Sequence, residues 1–158
     1  MDTTTDAKHI AYMEQALSYA KQSVAVNTAY NVGCVIVDPT TDEVVSYGFS
    51  RELPGNTHAE ECALHKLLPN TAKGFDLYST MEPCSKRLSG KVSCSERIIA
   101  NQVKRVFIGA LEPANFVDCE GVKLLQEANI EVFFVQAEGL KERCLRVNQH
   151  VLSKGKSS

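Results

Sequence analysis

The sequence lacks the features that would send a chain to a membrane or along the secretory route. No apolar run approaches the roughly 20 residues a membrane-spanning helix needs. The opening Met1-Asp-Thr-Thr-Thr-Asp6 is acidic, with neither an apolar signal core nor an arginine-rich amphipathic stretch. A soluble, cytoplasmic protein is the expectation. An excess of positive charge is also missing: 17 basic and 19 acidic residues leave a net charge of −2, which argues against a general nucleic-acid binder. Internal repeats, linkers and low-complexity segments are absent too. Without a secretion signal, the 6 cysteines read as free thiols and metal ligands rather than disulfides. What is present is ordinary for a globular protein, 44% hydrophobic and 23% charged residues in a chain of 158. Folding at this length buries roughly 70% of the unfolded chain's surface, enough for one core. One domain over residues 1–158 is expected, with a frayed tail from about 153 to 158.

Hydrophobic spacing alternates between helix and strand. Ile10, Met13, Leu17, Ala20 and Val24 recur at helical intervals behind Asp6, an N-cap residue type, and predict an amphipathic helix ending near Asn27. Cys34–Val37 reads as a short buried strand, Pro39–Glu43 as a turn and Val44–Phe49 as the returning strand of a hairpin. A helix follows Leu53-Pro-Gly-Asn56. Leu77–Thr80, Val106–Ile108 and Val132–Val135 read as three more strands, and Leu140, Cys144, Val147 and Val151 mark a closing helix. Between the last two strands, Asp118–Asn129 puts Val122, Leu125 and Ala128 on one face. A helical crossover of that length joins parallel neighbours. The expected fold is therefore α/β, a layered domain with a five-stranded mixed sheet covered by helices.

Two places carry chemistry. One is Thr57-His-Ala-Glu60; the other is Glu82-Pro-Cys84, with nine residues separating Cys84 from Cys94. Thr57-x-x-Glu60 and Ser93-x-x-Glu96 both fit the capping-box pattern, which predicts that His58 and Cys94 open two helices. Two helix N-termini converging on one point favour anions there, such as cysteine thiolates. His58, Cys84 and Cys94 then supply three zinc ligands, leaving the fourth tetrahedral position to water, as a catalytic zinc site requires. Glu60 is placed to take that water's proton and pass it on, a general acid–base role. Singly, each residue has a plainer reading: Glu60 as a cap partner, and Cys84 and Cys94 as small buried hydrophobes like Cys34, Cys62, Cys119 and Cys144. Their co-occurrence in this order carries the catalytic reading.

His58-Ala-Glu60 with Pro83-Cys84 and a later cysteine resembles the cytidine-deaminase superfamily. Asn31-Val-Gly-Cys-Val-Ile-Val37, Gly48-Phe49, Thr80-Met-Glu-Pro-Cys84, Arg105–Ile108 and the Gly121–Val132 segment narrow the resemblance to the deaminases of riboflavin biosynthesis. Ser85-Lys-Arg-Leu-Ser-Gly-Lys91 before Cys94 is most similar to their fungal form. The resemblance implies one zinc per chain and a cytidine-deaminase-like fold. It also implies a substrate that is a diaminopyrimidine bearing a phosphorylated ribityl chain, deaminated at ring carbon two, and a homodimer. It further implies that Asn31 hydrogen-bonds the substrate and that carbonyls near Thr80 receive the leaving amine. Bacterial members of that family and some fungal ones carry an additional reductase or pseudouridine-synthase domain, and the expectation is that the 158 residues here hold neither.

The cations Lys86, Arg87 and Lys91, with Ser85, lie in a stretch whose ends are both fixed by ligands, and are expected at the rim of the pocket as a phosphate site. Two other readings stay open: a deaminase of cytidine, cytosine, guanine or tRNA adenosine, and a non-catalytic zinc-stabilised binding module. The long Cys84–Cys94 interval disfavours the first and Glu60 the second.

Overall fold

The computed structural model describes residues 1–26, 29–87, 90–112 and 120–152. Six strands form one sheet: β1 (Asp2–Thr4), β2 (Gly33–Asp38), β3 (Glu43–Phe49), β4 (Asp76–Ser79), β5 (Arg105–Ile108) and β6 (Glu131–Val135). Their spatial order is β1-β6-β5-β4-β2-β3. The expected hairpin is there, as β2 and β3 pair antiparallel. So is the parallel far side, where β4, β5 and β6 run the same way. The sheet has six strands where five were expected. Asp2–Thr4 adds a parallel edge strand on β6, pairing Asp2 with Phe133 and Thr4 with Val135. Its residues are largely exposed, so no hydrophobic alternation announced it.

Helices cover both faces. Above the sheet lie α1 (Ala7–Ala20) and α5 (Leu140–Arg146), whose Met13, Leu17, Leu140 and Cys144 pack on Val35, Tyr78 and Phe107. Beneath it lie α2 (Ala59–His65), α3 (Cys94–Ala100) and α4 (Glu120–Glu127), contributing Ala63, Ile98 and Leu125 against Ile36, Leu77 and Val106. Adjacent residues of β2 and β4 thus serve opposite layers, and both strands read as unbroken apolar runs because both of their faces are buried. The short α6 (Gln149–Leu152) follows α5.

Two boundaries differ from the sequence expectation. Asp6 caps α1 as predicted, its carboxylate accepting from Lys8 N–H. The helix stops at Ala20, however, where Gln22 and Ser23 bond to carbonyls three residues back and tighten the last turn. Val24 lies beyond it and is 77% exposed. The closing helix is two pieces, broken between Arg146 and Gln149. Asn27, Leu88, Ser89, the start of the crossover at Asp118 and Cys119, and the tail 153–158 lie outside the described residues.

Gly48 on β3 decides where α2 sits. A Cβ there would come within 2.3 Å of Ala59 O and 2.7 Å of Ala63 N, so the helix backbone lies directly on the strand. Ala59 is flanked by His58 and Glu60, and this contact sets the height of both above the sheet. Gly48→Ala is expected to cost about 1–3 kcal/mol through overpacking against backbone that cannot rotate away. Urea denaturation measures it, and an unchanged midpoint would show that α2 tolerates the displacement.

Candidate active site

Three chain segments meet at the end of β4: the entry to α2, the loop after β4 and the entry to α3. His58 is the N-cap of α2, with extended φ −95° and ψ 158°. Its N–H donates to Glu61 Oε1 at 3.1 Å. The capping box expected over Thr57 and Glu60 is therefore shifted by one residue. Thr57 is not the cap; its hydroxyl donates to Leu53 O at 2.9 Å. The shift removes the plain reading of Glu60 as a cap partner, because Glu61 holds that role. Ser93 caps α3 as expected, accepting from Glu96 N–H at 3.2 Å, and Cys94 opens the helix.

His58, Cys84 and Cys94 come together, with their ligand atoms all within 4.8 Å of one another. His58 Nδ1 lies 3.7 Å from Cys84 Sγ and 3.3 Å from Cys94 Sγ. Tetrahedral zinc with ordinary Zn–N and Zn–S bonds has nitrogen–sulfur edges of about 3.6 Å, so the donor set fits that ion in both chemistry and spacing. Cys94 N–H donates to Cys84 Sγ at 3.3 Å. The hydrogen bond from the Cys94 thiol, with help from His58, draws the Cys84 thiol down, while Cys94 is pushed well up, chiefly by the same hydrogen bond and by burial.

Glu60 follows the ligand His58 by two residues, is 4% exposed and lines the cleft with His58 and Cys84. Burial, reinforced by the charge of Cys84, raises its carboxyl to about 7. Glu61, which the sequence reading passed over, ties the site together. It holds His58 N–H, accepts from Arg87 Nη1 at 2.9 Å and lies 3.3 Å from Arg97 Nη2 of α3. One carboxylate thus links a ligand's backbone, the loop between the cysteines and the helix that Cys94 opens. The signal for it was its place three residues after His58, the N3 position of a cap.

The other expected contacts are distributed unevenly. Ser85 donates to Glu120 Oε2 at 3.2 Å, and Lys86 and Lys91 are exposed. Arg87 is not a rim cation. Its side chain is only 2% exposed, bonded to Glu61 and to Asn56 O, so its guanidinium braces the loop from inside. Asn31 is buried, its amide oxygen taken by Arg51 Nη2 and its peptide N–H by Asn148 Oδ1. Its neighbours Tyr30 and Val32 line the cleft. Thr80 is fully buried and its hydroxyl accepts from Gly33 N–H at 3.1 Å, while the next residues, Met81 and Glu82, reach the cleft wall. Cys34, Cys62 and Cys144 are buried away from the cluster, as expected.

Residues 6–110 match the model of the cytidine and deoxycytidylate deaminase zinc-binding region. A diaminohydroxyphosphoribosylamino-pyrimidine deaminase of Schizosaccharomyces pombe is 47% identical over 142 residues, covering 87% of this chain and 34% of the relative. The riboflavin biosynthesis protein RibD of Actinobacillus pleuropneumoniae is 37% identical over 150 residues, 92% of this chain and 36% of that one. The chain spans about a third of the length of these curated relatives. Among solved structures, a C-terminal deletion mutant of the Aspergillus oryzae Rib2 deaminase in complex with DARIPP superposes with a TM-score of 0.72 at 30% identity, covering 94% of this chain and 100% of that one.

Proposed function

The chain belongs to the cytidine and deoxycytidylate deaminase zinc-binding family, and we propose that it hydrolytically deaminates a phosphorylated diaminopyrimidine of riboflavin biosynthesis. The substrate is 2,5-diamino-6-ribitylamino-4(3H)-pyrimidinone 5'-phosphate; the products are the 5-amino-2,4-dione and ammonia. The carrying observation is the buried carboxylate of Glu60 beside the His58, Cys84 and Cys94 donors in one cleft. The similarity to the S. pombe deaminase and to the A. oryzae protein crystallised with DARIPP supports the choice of ring.

His58, Cys84 and Cys94 would hold one zinc per chain, which when bound lowers the pKa of a water molecule towards ~7. The protein's own residues do the rest. Glu60 takes the water's proton and delivers it to the ring nitrogen beside carbon two, then carries the remaining proton of the hydroxyl added to carbon two to the departing amine as the carbonyl forms. Arg87 keeps the loop closed on Glu61. Lys86, Lys91 and Ser85 lie on the solvent side of that loop and form the phosphate side of the proposal, while Asn31, through its clamped backbone, and Thr80 shape the walls beside Tyr30 and Met81. Among the described residues no helix is long and apolar enough to cross a membrane. A cytoplasmic homodimer acting as a single deaminase domain completes the reading.

Ammonia release from the phosphorylated diaminopyrimidine, its dephosphorylated form, cytidine, cytosine and guanine tests it. The phosphorylated compound is expected to lead the dephosphorylated one by at least about tenfold in kcat/KM, carried by KM. The other three should give no ammonia. Turnover of cytidine or guanine in place of the diaminopyrimidine would move the substrate assignment elsewhere in the family, and equal values for the first two would remove the phosphate from it.

A further inference from the structure

Asn56 stands two residues before the ligand His58 and lines the same cleft as His58 and Glu60. Exposure falls along this stretch, from an exposed Asn56 through a half-buried His58 to a buried Glu60, so the asparagine sits at the mouth of the cleft and the carboxylate at its floor. An exposed asparagine after a glycine with φ 89° is ordinarily a turn former. Here other groups close the turn. The Thr57 hydroxyl donates to Leu53 O at 2.9 Å and the Arg51 N–H to Thr57 O at 2.6 Å. The Asn56 peptide carbonyl is held separately, accepting from Arg87 Nη2 at 2.5 Å, and the same guanidinium is paired with Glu61. A buried cation thus fixes the main chain of Asn56, while its side-chain amide bonds none of the described residues.

We propose that Asn56 is a specificity residue that recognises the hydroxyl groups of the substrate's open ribityl chain. The inference rests on the functional reading above. In that reading carbon two of the ring meets Glu60 at the floor, and the phosphate lies by Lys86, next in sequence to the Arg87 that holds Asn56. The ribityl chain joins these two ends and therefore crosses the mouth where Asn56 is fixed. The chemistry of the two partners matches. A hydroxyl both donates and accepts, and a carboxamide offers an NH2 donor beside a carbonyl acceptor. Because Arg87 already holds the backbone, the amide is presented without the ordering cost that a free loop would carry on binding.

The zinc-loaded wild type and Asn56→Ala are compared on the phosphorylated diaminopyrimidine and on an analogue in which a plain five-carbon alkyl chain carries the same terminal phosphate. Ring, phosphate and chain length are unchanged, so only the hydroxyls differ. A neutral hydrogen bond at a wet cleft mouth contributes modestly, and on the wild type the analogue should lose about 3- to 10-fold in kcat/KM. N56A should lose a similar factor on the ribityl compound, carried by KM with kcat unchanged, and should treat the two compounds alike. The substitution keeps the carbonyl that Arg87 holds, so zinc content and melting temperature should stay at the wild-type values. The Kd of the deaminated product, which retains the ribityl chain, should weaken in parallel and reads binding apart from chemistry.

Equal kcat/KM for the two compounds on the wild type overturns the proposal while leaving the functional reading in place, and this comparison decides even if N56A fails to fold. An N56A enzyme with an undiminished preference for the ribityl chain also overturns it. So does one that loses equally on both compounds, which would leave Asn56 as a part of the loop alone. Ammonia from neither compound, with zinc at one equivalent, overturns the functional reading itself, and the assignment of Asn56 with it.

Discussion

Replacing either cysteine of the cluster by alanine is expected to strip zinc from the protein and take ammonia release below detection. The argument is one of donor count and charge. With His58, the two sulfurs make three donors within 4.8 Å, and no other histidine, cysteine or carboxylate joins them among the described residues. A substituted site keeps two donors and loses a negative charge. Loss of an outer-shell partner alone weakens metal binding 10- to 100-fold, so the loss of a direct ligand should exceed ~10²-fold. The two variants differ in a second respect. Cys84 receives the Cys94 N–H, so Cys84→Ala also leaves that amide unpaired, whereas Cys94→Ala keeps the amide and loses only a sulfur. Both should fold, since the α3 cap lies on Ser93 and the core beneath on Ile98. Metal analysis of purified protein is the check, with Cys34→Ala and Cys62→Ala as controls that keep their zinc. A full equivalent retained in both cluster variants would remove the metal assignment.

What the sequence made legible follows the range of the interactions. The strands β2, β4 and β5 announced themselves because each is buried on both faces, and α3 because Ser93 and Glu96 sit within one turn. The donors were legible through residue type and order. The start of α2 was ambiguous by construction, since Thr57-x-x-Glu60 and His58-x-x-Glu61 offer the same pattern one residue apart, and only the bond from His58 N–H to Glu61 decides between them. Edge strand β1 gave no signal because an exposed three-residue strand buries too little to need alternation.

The remaining differences arise from long-range partners. Arg87 reads in sequence as part of a phosphate site at the rim, yet its guanidinium turns inward to Asn56 and Glu61, about thirty residues earlier. For Asn31 the resemblance implies a substrate contact, and what the sequence does not show is that its backbone N–H and C=O are both held by Asn148, more than a hundred residues later. Asn148 is fully buried and also reaches Met81 Sδ at 3.1 Å. The turn between α5 and α6 thereby ties together two segments that line the cleft, a role no local pattern reveals.

The register of that cap also sharpens the expectation for Glu60. Had Glu60 been the cap partner, Glu60→Gln would have mixed loss of structure with loss of chemistry. With His58 N–H on Glu61, Glu60 is not the cap partner; its carboxyl bonds its own backbone N–H, which a glutamine oxygen can also accept, and Gln is nearly the same size in the same buried place. Glu60→Gln is expected to keep one equivalent of zinc and the wild-type melting temperature while kcat falls by the ~10²–10⁴ typical of a lost general acid–base. KM should change little, because the amide still forms hydrogen bonds but cannot carry a proton. Glu61→Gln gives the reverse pattern. It weakens the links to Arg87 and Arg97 and should lower stability more than it lowers turnover per zinc. Steady-state kinetics, metal content and thermal melts on the two neighbours separate the roles. Near-normal ammonia release by Glu60→Gln would mean that the proton is carried elsewhere in the cleft, and the mechanism drawn for Glu60 would have to be abandoned.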